Sequence, residues 1–208
     1  MAALTQDTKR SNGELIPAVL KQPGPRATLK RCLGQRPDSP AWDHAWGHLI
    51  DYLPEQAVPD DCFSGSAVAD EQRAFVTVAA MICAQPPTAR AKDLEIGPDG
   101  NRARNLGSAL AVGVGERNIS NQDAGLHRLI LLSRQNVDGI HRLLPRTVQH
   151  LRGALVPLDW VRLITDLADW RRRRRSIAKW WIQDYHRNLN RIKAAKLSND
   201  PNAESETT

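Results

Sequence analysis

Five consecutive arginines, Arg171, Arg172, Arg173, Arg174 and Arg175, stand between Trp170 and the pair Trp180–Trp181 in the stretch "LADWRRRRRSIAKWWIQDYH". Guanidinium groups at this density suit phosphate, because each is planar, permanently charged and able to grip two oxygens at once. Helix geometry constrains where they point. At about 100° per residue, five successive side chains sweep the whole circumference, so an unbroken helix would aim at least one into its own apolar stripe. Burying an unpaired charge costs far more than interrupting a helix. The sequence therefore predicts a turn near Arg171–Arg174, with the arginines at a helix junction and directed outward. The competing readings are a targeting tag, a solvated helix face, or salt bridges to a partner protein.

Other residues could do chemistry, but their spacing is less informative. His44 and His48 are four apart and can share one helix face, yet no Glu lies between them in an H-E-x-x-H pattern and no third ligand is evident, so no metal is expected. The "GVGER" stretch lacks both the lysine and the preceding strand of a phosphate loop. No nucleophile, base and orienting group can be picked out by spacing, so no catalytic residue is named and no enzyme is expected. Cys32, Cys62 and Cys83 are three, widely spaced, and fit reduced core residues better than a disulfide framework or zinc ribbon. Trp42, Trp46, Trp160, Trp170 and Trp181 fall on apolar stripes and read as core; Trp180 lies off its stripe and is the better interface candidate.

Charge layout narrows the partners. The 208 residues carry a formal net charge of +6, unevenly spread. Residues 1–101 hold 10 Lys and Arg against 13 Asp and Glu, net −3; residues 102–196 hold 19 against 7, net +12; residues 197–208 hold three acids and no base, net −3. So basic a stretch attracts polyanions, nucleic acid foremost. No run approaches the roughly 20 apolar residues that span a bilayer, and no signal-peptide order opens the chain, so a cytoplasmic protein with no membrane partner is expected.

The elements that position these residues read as all-α, in two small helical units: N-terminal helices over 26–98 and a basic C-terminal helical bundle over 99–196. Residues 1–25 read as a flexible N-terminus and 197–208 as a disordered tail. A short helix over 26–33 ends near Gly34. Asp38 or Ser39 caps the next, Pro40 opens it, and Pro54 stops it. Ser64 or Ser66 starts a long helix through Phe75 and Ile82 that "QPP" closes. "TARAKDLEIGPDGNRAR" reads as a linker or surface loop. The second unit begins at Leu106, breaks at "GVG" and resumes with Leu126 and Leu129. Asp138 caps a helix striped by Ile140, Leu144, Val148 and Leu151, in which Pro145 marks a kink or junction. Asp159 starts "DWVRLITDLADW", and a final helix carries Ile177, Trp181, Tyr185 and Leu189 on one face.

These segments carry a resemblance. "NLGSALAVGVG", a "RLILL" helix, "VDGIHRLLPRTVQHLRGALVPLDWVRLITDLADW" and "SIAKWWIQDYH", with "RATLKRCLGQRPDSPAW" near the start, are similar to the CasB family, the small subunit of the type I-E CRISPR Cascade complex. The resemblance covers much of residues 26–187. It implies a helical, non-catalytic antiviral protein without cofactor. Its partners would be other Cascade subunits, the guide RNA complex, the target and displaced DNA strands, and a second copy of itself. Carried over residue by residue, the nucleic-acid contacts would be Arg26, Lys30 and Arg31 in the opening helix, Arg142, Arg146 and Arg152 before "PLDW", and Lys179; the run Arg171–Arg175 joins these candidates on its density of arginine and not on the resemblance. Ser108 stands where the family often has Arg. The Arg expected early in the next helix is displaced near Gly125, with Arg128 or Arg134 as its substitute. For each basic residue the alternatives of a solvated face and a subunit-interface salt bridge stay open. R-loop formation is a nearly balanced exchange of duplexes, so a few sequence-neutral phosphate contacts can tip it.

Overall fold

The computed structural model describes residues 23–49, 67–96 and 105–198. Among these residues every element is a helix: α1 (Pro23–Lys30), α2 (Pro40–Leu49), α3 (Ala67–Ala84), α4 (Pro87–Ile96), α5 (Leu106–Gly115), α6 (Gln122–Ser133), α7 (Val137–Gly153), α8 (Trp160–Ala168) and α9 (Trp170–Ser198). The predicted capping sites past Leu49, at Pro54, Ser64 and Ser66, and Cys62, lie outside the described residues.

The apolar stripes read from the sequence do form the core. Leu29, Trp42, Phe75, Ile82, Leu110, Leu129, Leu144, Leu151, Ile164, Trp170, Trp181 and Tyr185 are all buried in one cluster, which runs through both helical stretches. α3 packs on α8, and α1 and α2 pack on this side; α9 packs along α5 and α6. Trp170 and Trp181 meet at 5.0 Å between ring centroids, and the Trp181 indole N–H donates to Asp166 at 2.7 Å. Gly34, in the left-handed region at φ 72°, turns the chain between α1 and α2.

The described elements correct some of these expectations and meet others. The stretch expected to be a linker contributes α4: Pro87 opens the helix, and its inner side buries Ala89 together with Asp93, whose partner is remote in sequence. The break expected at "GVG" falls at the end of α5, which stops at Gly115 before helix resumes at Gln122. Its glycines are close-packing positions; a Cβ on Gly113 would fall 2.5 Å from Ile119 Cδ1 and 2.9 Å from Leu151 Cδ2. The cap of α7 is Asn136, whose side chain accepts from the Gly139 N–H at 2.8 Å, while Asp138 sits in the first turn. Asn105 and Asn121 cap α5 and α6 in the same way, and Asp159 caps α8 as predicted. α7 is one continuous helix with Pro145 inside it, so the His141 carbonyl forgoes its usual helix donor. At the other end, α9 extends two residues into the predicted tail, to Ser198.

The tightest crossing is α5 on α9. A Cβ at Gly107 would lie 1.8 Å from the Trp181 carbonyl oxygen and 2.8 Å from its Cα, both backbone atoms that no rotamer change can move aside. Gly107→Ala is expected to lower stability by about 3 kcal/mol, as overpacking at a backbone contact does. Urea melts followed by circular dichroism check this, and a midpoint within experimental scatter of the parent would contradict the crossing.

Candidate nucleic-acid interface

The arginine run lies at a helix junction, as the burial argument required. α8 ends at Ala168 with Asp169 as its C-cap, and the chain re-enters helix through a residue, Arg173, whose φ −124° and ψ 17° are not helical. The N–H groups of Arg172 and Arg173 both donate to the Asp169 carbonyl, closing the turn. Four of the five arginines are exposed and Arg174 is half-buried, so none enters the core.

Each guanidinium has a distinct situation. Arg171 grips the buried Asp70 through Nε and Nη2, at 2.8 and 3.0 Å, and ties α9 to α3. Arg172 and Arg173 share the Asp169 carboxylate at 2.9 and 3.3 Å. Arg174 donates to the Gln135 carbonyl at 3.3 Å, which also accepts the Trp170 indole N–H. With Arg175 and Ser176 they line a groove of about 480 Å³ whose opposite wall is Asn136, Val137 and Asp138 at the start of α7. Arg73 joins from α3, bound to Asp138 at 2.6 Å; this bond holds the Asp138 carboxyl below its ordinary range.

Around the groove, six guanidiniums (Arg73 and Arg171–Arg175) face Asp70, Asp138, Asp169 and the half-buried Glu71, whose carboxyl burial pushes up. The surplus is positive by at least two. The Asp169 pairs are solvent-exposed and worth roughly 0–1 kcal/mol each, so an incoming phosphate can replace them at small cost. The Arg171–Asp70 pair is half-buried and stays as framework. Behind the groove the buried His141 binds Thr77 through Nδ1 at 2.8 Å, and burial pushes its imidazole down to about 3, so it adds no charge.

The groove opens onto α7, where Asp138, Arg142 and Arg146 succeed one another at four-residue steps, each about 6 Å farther along the helix. Arg142 and Arg146 are exposed. Arg146 reaches a second groove, of about 720 Å³, with Arg128 and His150 beside an apolar floor of Leu131, Leu132 and Leu143. One helix thus joins two grooves through a basic stripe. On α9, Lys179 is exposed one turn beyond Arg175 and lengthens the arginine side of the track.

Arg152 is a correction. Six residues beyond Arg146 it is turned about 120° from it, and it is fully buried. Its guanidinium donates to Asp93 at 2.6 Å, Gln85 Oε1 at 2.7 Å, the Val156 carbonyl at 2.6 Å and the Ala89 carbonyl at 2.9 Å. Asp93 also accepts from the Trp160 indole and from Gln85, both at 3.0 Å. With four of its five N–H donors spent on buried acceptors and no surface exposed, it is out of reach of a phosphate; Arg152 staples α4 to α7 and α8.

Lys30 and Arg31 are exposed at the end of α1, and Arg26 is half-buried earlier in it. Arg31 lines a small pocket with Thr28, Ala41, His44 and His48. A guanidinium beside the two imidazoles opposes a cation there, and among the described residues no three His, Cys, Asp or Glu gather as a metal set. α1 packs on α2 and α3 rather than on α7, so these residues form a patch of their own. Of the two departures from the family pattern, Ser108 accepts from Asn188 at 3.1 Å and lines a groove of about 450 Å³ with Asp184 and Arg187, and Gly125 is buried with Val114 and Tyr185 against it. Arg128 lines the second groove and Arg134 is exposed at the end of α6. Sequence reasoning missed Arg73 and the acids that neutralise the run; an i,i+3 or i,i+4 acid before the arginines, Asp169, was the available signal for one of them.

Comparisons with known proteins agree with this architecture. Two solved chains described as "CRISPR RNA-guided surveillance complex" and "CRISPR RNA-guided surveillance complex, pre-nicking" are 35% and 36% identical, at TM-scores of 0.75 and 0.77. Each match covers 92% of this chain and 98% of the other. The crystal structure of M. ruber CasB shares the fold at 18% identity and a TM-score of 0.63, over 87% of this chain and 97% of that one. No curated protein sequence matches. Among the described residues no helix is long and apolar enough to cross a membrane. The model of CRISPR-associated protein Cse2 matches residues 25–186, and the chain belongs to that family.

Proposed function

We propose that this chain is a non-catalytic, cytoplasmic small subunit of an RNA-guided antiviral surveillance complex, and that it stabilises the R-loop by sequence-neutral contacts to phosphate. The observation that carries the reading is the arginine groove. Five adjacent guanidiniums are turned out of the core by a kink, with a surplus of positive charge and only weak exposed pairs to displace. The stripe Arg142–Arg146 extends it, Lys179 and Arg175 lie along the opposite lip, and Lys30 and Arg31, with Arg26 a turn before, supply a second patch. Such contacts add affinity without reading bases. The other subunits, the guide RNA, both DNA strands and a second copy of the chain are the partners this role requires.

A second reading is favoured by the larger groove, where Leu131, 54% exposed, and Leu143 lie beside Arg128 and Arg146. There the basic residues would join subunits, with nucleic acid held elsewhere. Reversing Arg142→Glu and Arg146→Glu together separates the two in the reconstituted complex. The first reading expects the subunit retained and target-DNA affinity lowered about tenfold or more. Loss of the subunit from the complex, with no DNA defect in what remains assembled, supports the second.

A further inference from the structure

Trp180 is 39% exposed, whereas Trp42, Trp160, Trp170 and Trp181 are buried in the core and Trp46 packs against it. Nothing in the core requires an indole there; its neighbour Trp181 already makes the contacts to Trp170 and Asp166. Two guanidiniums stand over the ring, that of Arg162, from α8, at 5.4 Å from its centroid and that of Arg173, from the arginine groove, at 5.5 Å, and each is also paired with a carboxylate, Asp166 and Asp169 respectively. Arg187 stands seven residues beyond on the same helix, two turns and about 10 Å along it, and is largely exposed. Lys179, the chain neighbour of Trp180, is exposed about 100° around the helix from it. The nearby acids are the partners of these cations: Asp166 is buried and accepts from Trp181 and Arg162, Asp169 takes Arg172 and Arg173, and Asp184 takes Asn105 and Arg187.

We infer that Trp180 is a stacking platform for an unpaired base of a single-stranded nucleic acid whose phosphates run from the arginine groove along α9. This rests on the phosphate-binding reading above and sharpens it to one kind of strand. A nucleic-acid strand is the ligand that offers anions and flat π faces in alternation, which is the order in which Arg173, Trp180 and Arg187 occur. A duplex does not suffice, because its bases stack on one another and present only edges to the outside. The arriving base takes the place of a guanidinium over the ring, the displaced cation meets a flanking phosphate, and stacking itself is indifferent to which base arrives.

The test uses the full chain with a fluorescent oligo-dT strand and a mixed-sequence duplex of equal length, titrated at several salt concentrations. Trp180→Ala is expected to weaken oligo-dT binding by about 5- to 100-fold, to leave the slope of log affinity against log salt unchanged because no cation is removed, and to affect the duplex much less. Trp180→Phe, which keeps a ring, should recover most of the loss; circular dichroism verifies that both variants are folded. Oligo-dT affinity of Trp180→Ala within twofold of the parent overturns the stacking role and leaves phosphate binding standing. An equal fall for strand and duplex, with a shallower slope, also overturns it and assigns Trp180 only to holding its arginines. If the variant binds both probes normally yet drops out of the assembled complex, the surface belongs to a protein partner. A parent chain with no salt-sensitive binding to either probe removes the phosphate reading itself.

Discussion

Replacing Arg152 by Ala is expected to destabilise the protein by about 3–5 kcal/mol, the cost of stranding a buried partner charge. Asp93 would remain beneath the surface with only the Trp160 indole and Gln85 as donors, and the carbonyls of Ala89 and Val156 would lose theirs. For a chain of this size each kcal/mol moves the melting temperature by roughly 2–4 °C, so a fall on the order of 10 °C should be read by calorimetry. The double variant Arg152→Met with Asp93→Leu should recover part of it, because removing both charges is far less costly than removing one. The binding of folded Arg152→Ala to nucleic acid should match the parent. A variant that kept its stability and lost its affinity would return Arg152 to the phosphate contacts from which burial has removed it.

The second large effect concerns the groove. Arg172, Arg174 and Arg175 line it and hold nothing of the core together: Arg172 pairs with the solvent-accessible Asp169 and offsets the charge of the half-buried Glu71, and Arg174 bonds one carbonyl. Changing all three to Glu swings the local charge by six. Single-stranded DNA affinity at about 0.1 M salt should drop by roughly a hundredfold or more, and the salt slope should become shallower by about 2, at about 0.7 for each phosphate no longer neutralised. Thermal stability should change by no more than about 1–2 kcal/mol, since exposed pairs contribute little. Fluorescence anisotropy and a melt on the same sample read both quantities. Unchanged affinity would mean that the groove serves a protein partner.

How far the sequence could be read follows from what each residue needs. Helices with an apolar stripe, such as α7 and α8, are legible because the 3.6-residue period is local. The junction at Arg173 was legible for a related reason: successive arginines cannot all avoid the core of a straight helix. α4 was not, because the stripe that betrays a helix is replaced by Asp93, and an acid reads as solvent-facing until its partner, 59 residues on, is known. The same blindness misassigned Arg152, whose neighbours Arg142 and Arg146 are exposed on the same helix. Exposed and buried arginines differ only by the remote carboxylate that compensates them, and no local pattern carries that information. The glycines of "GVG" were legible as a helix end because glycine weakens an isolated helix, and they also let α5 pack against Ile119, Leu151 and α9. The site was legible as composition, an excess of arginine, whereas its shape depended on Asp70, Asp138 and Asp169.

The central claim is that this surface holds phosphate without reading sequence, and salt titration of the full-length chain measures it most directly. Affinity is determined for two single strands of unrelated sequence and equal length between about 50 and 300 mM salt. With four or more phosphates neutralised, log affinity should fall against log salt with a slope of about −3 or steeper, and the two sequences should give the same line. A slope near zero, or affinities that differ tenfold between the sequences, would contradict it.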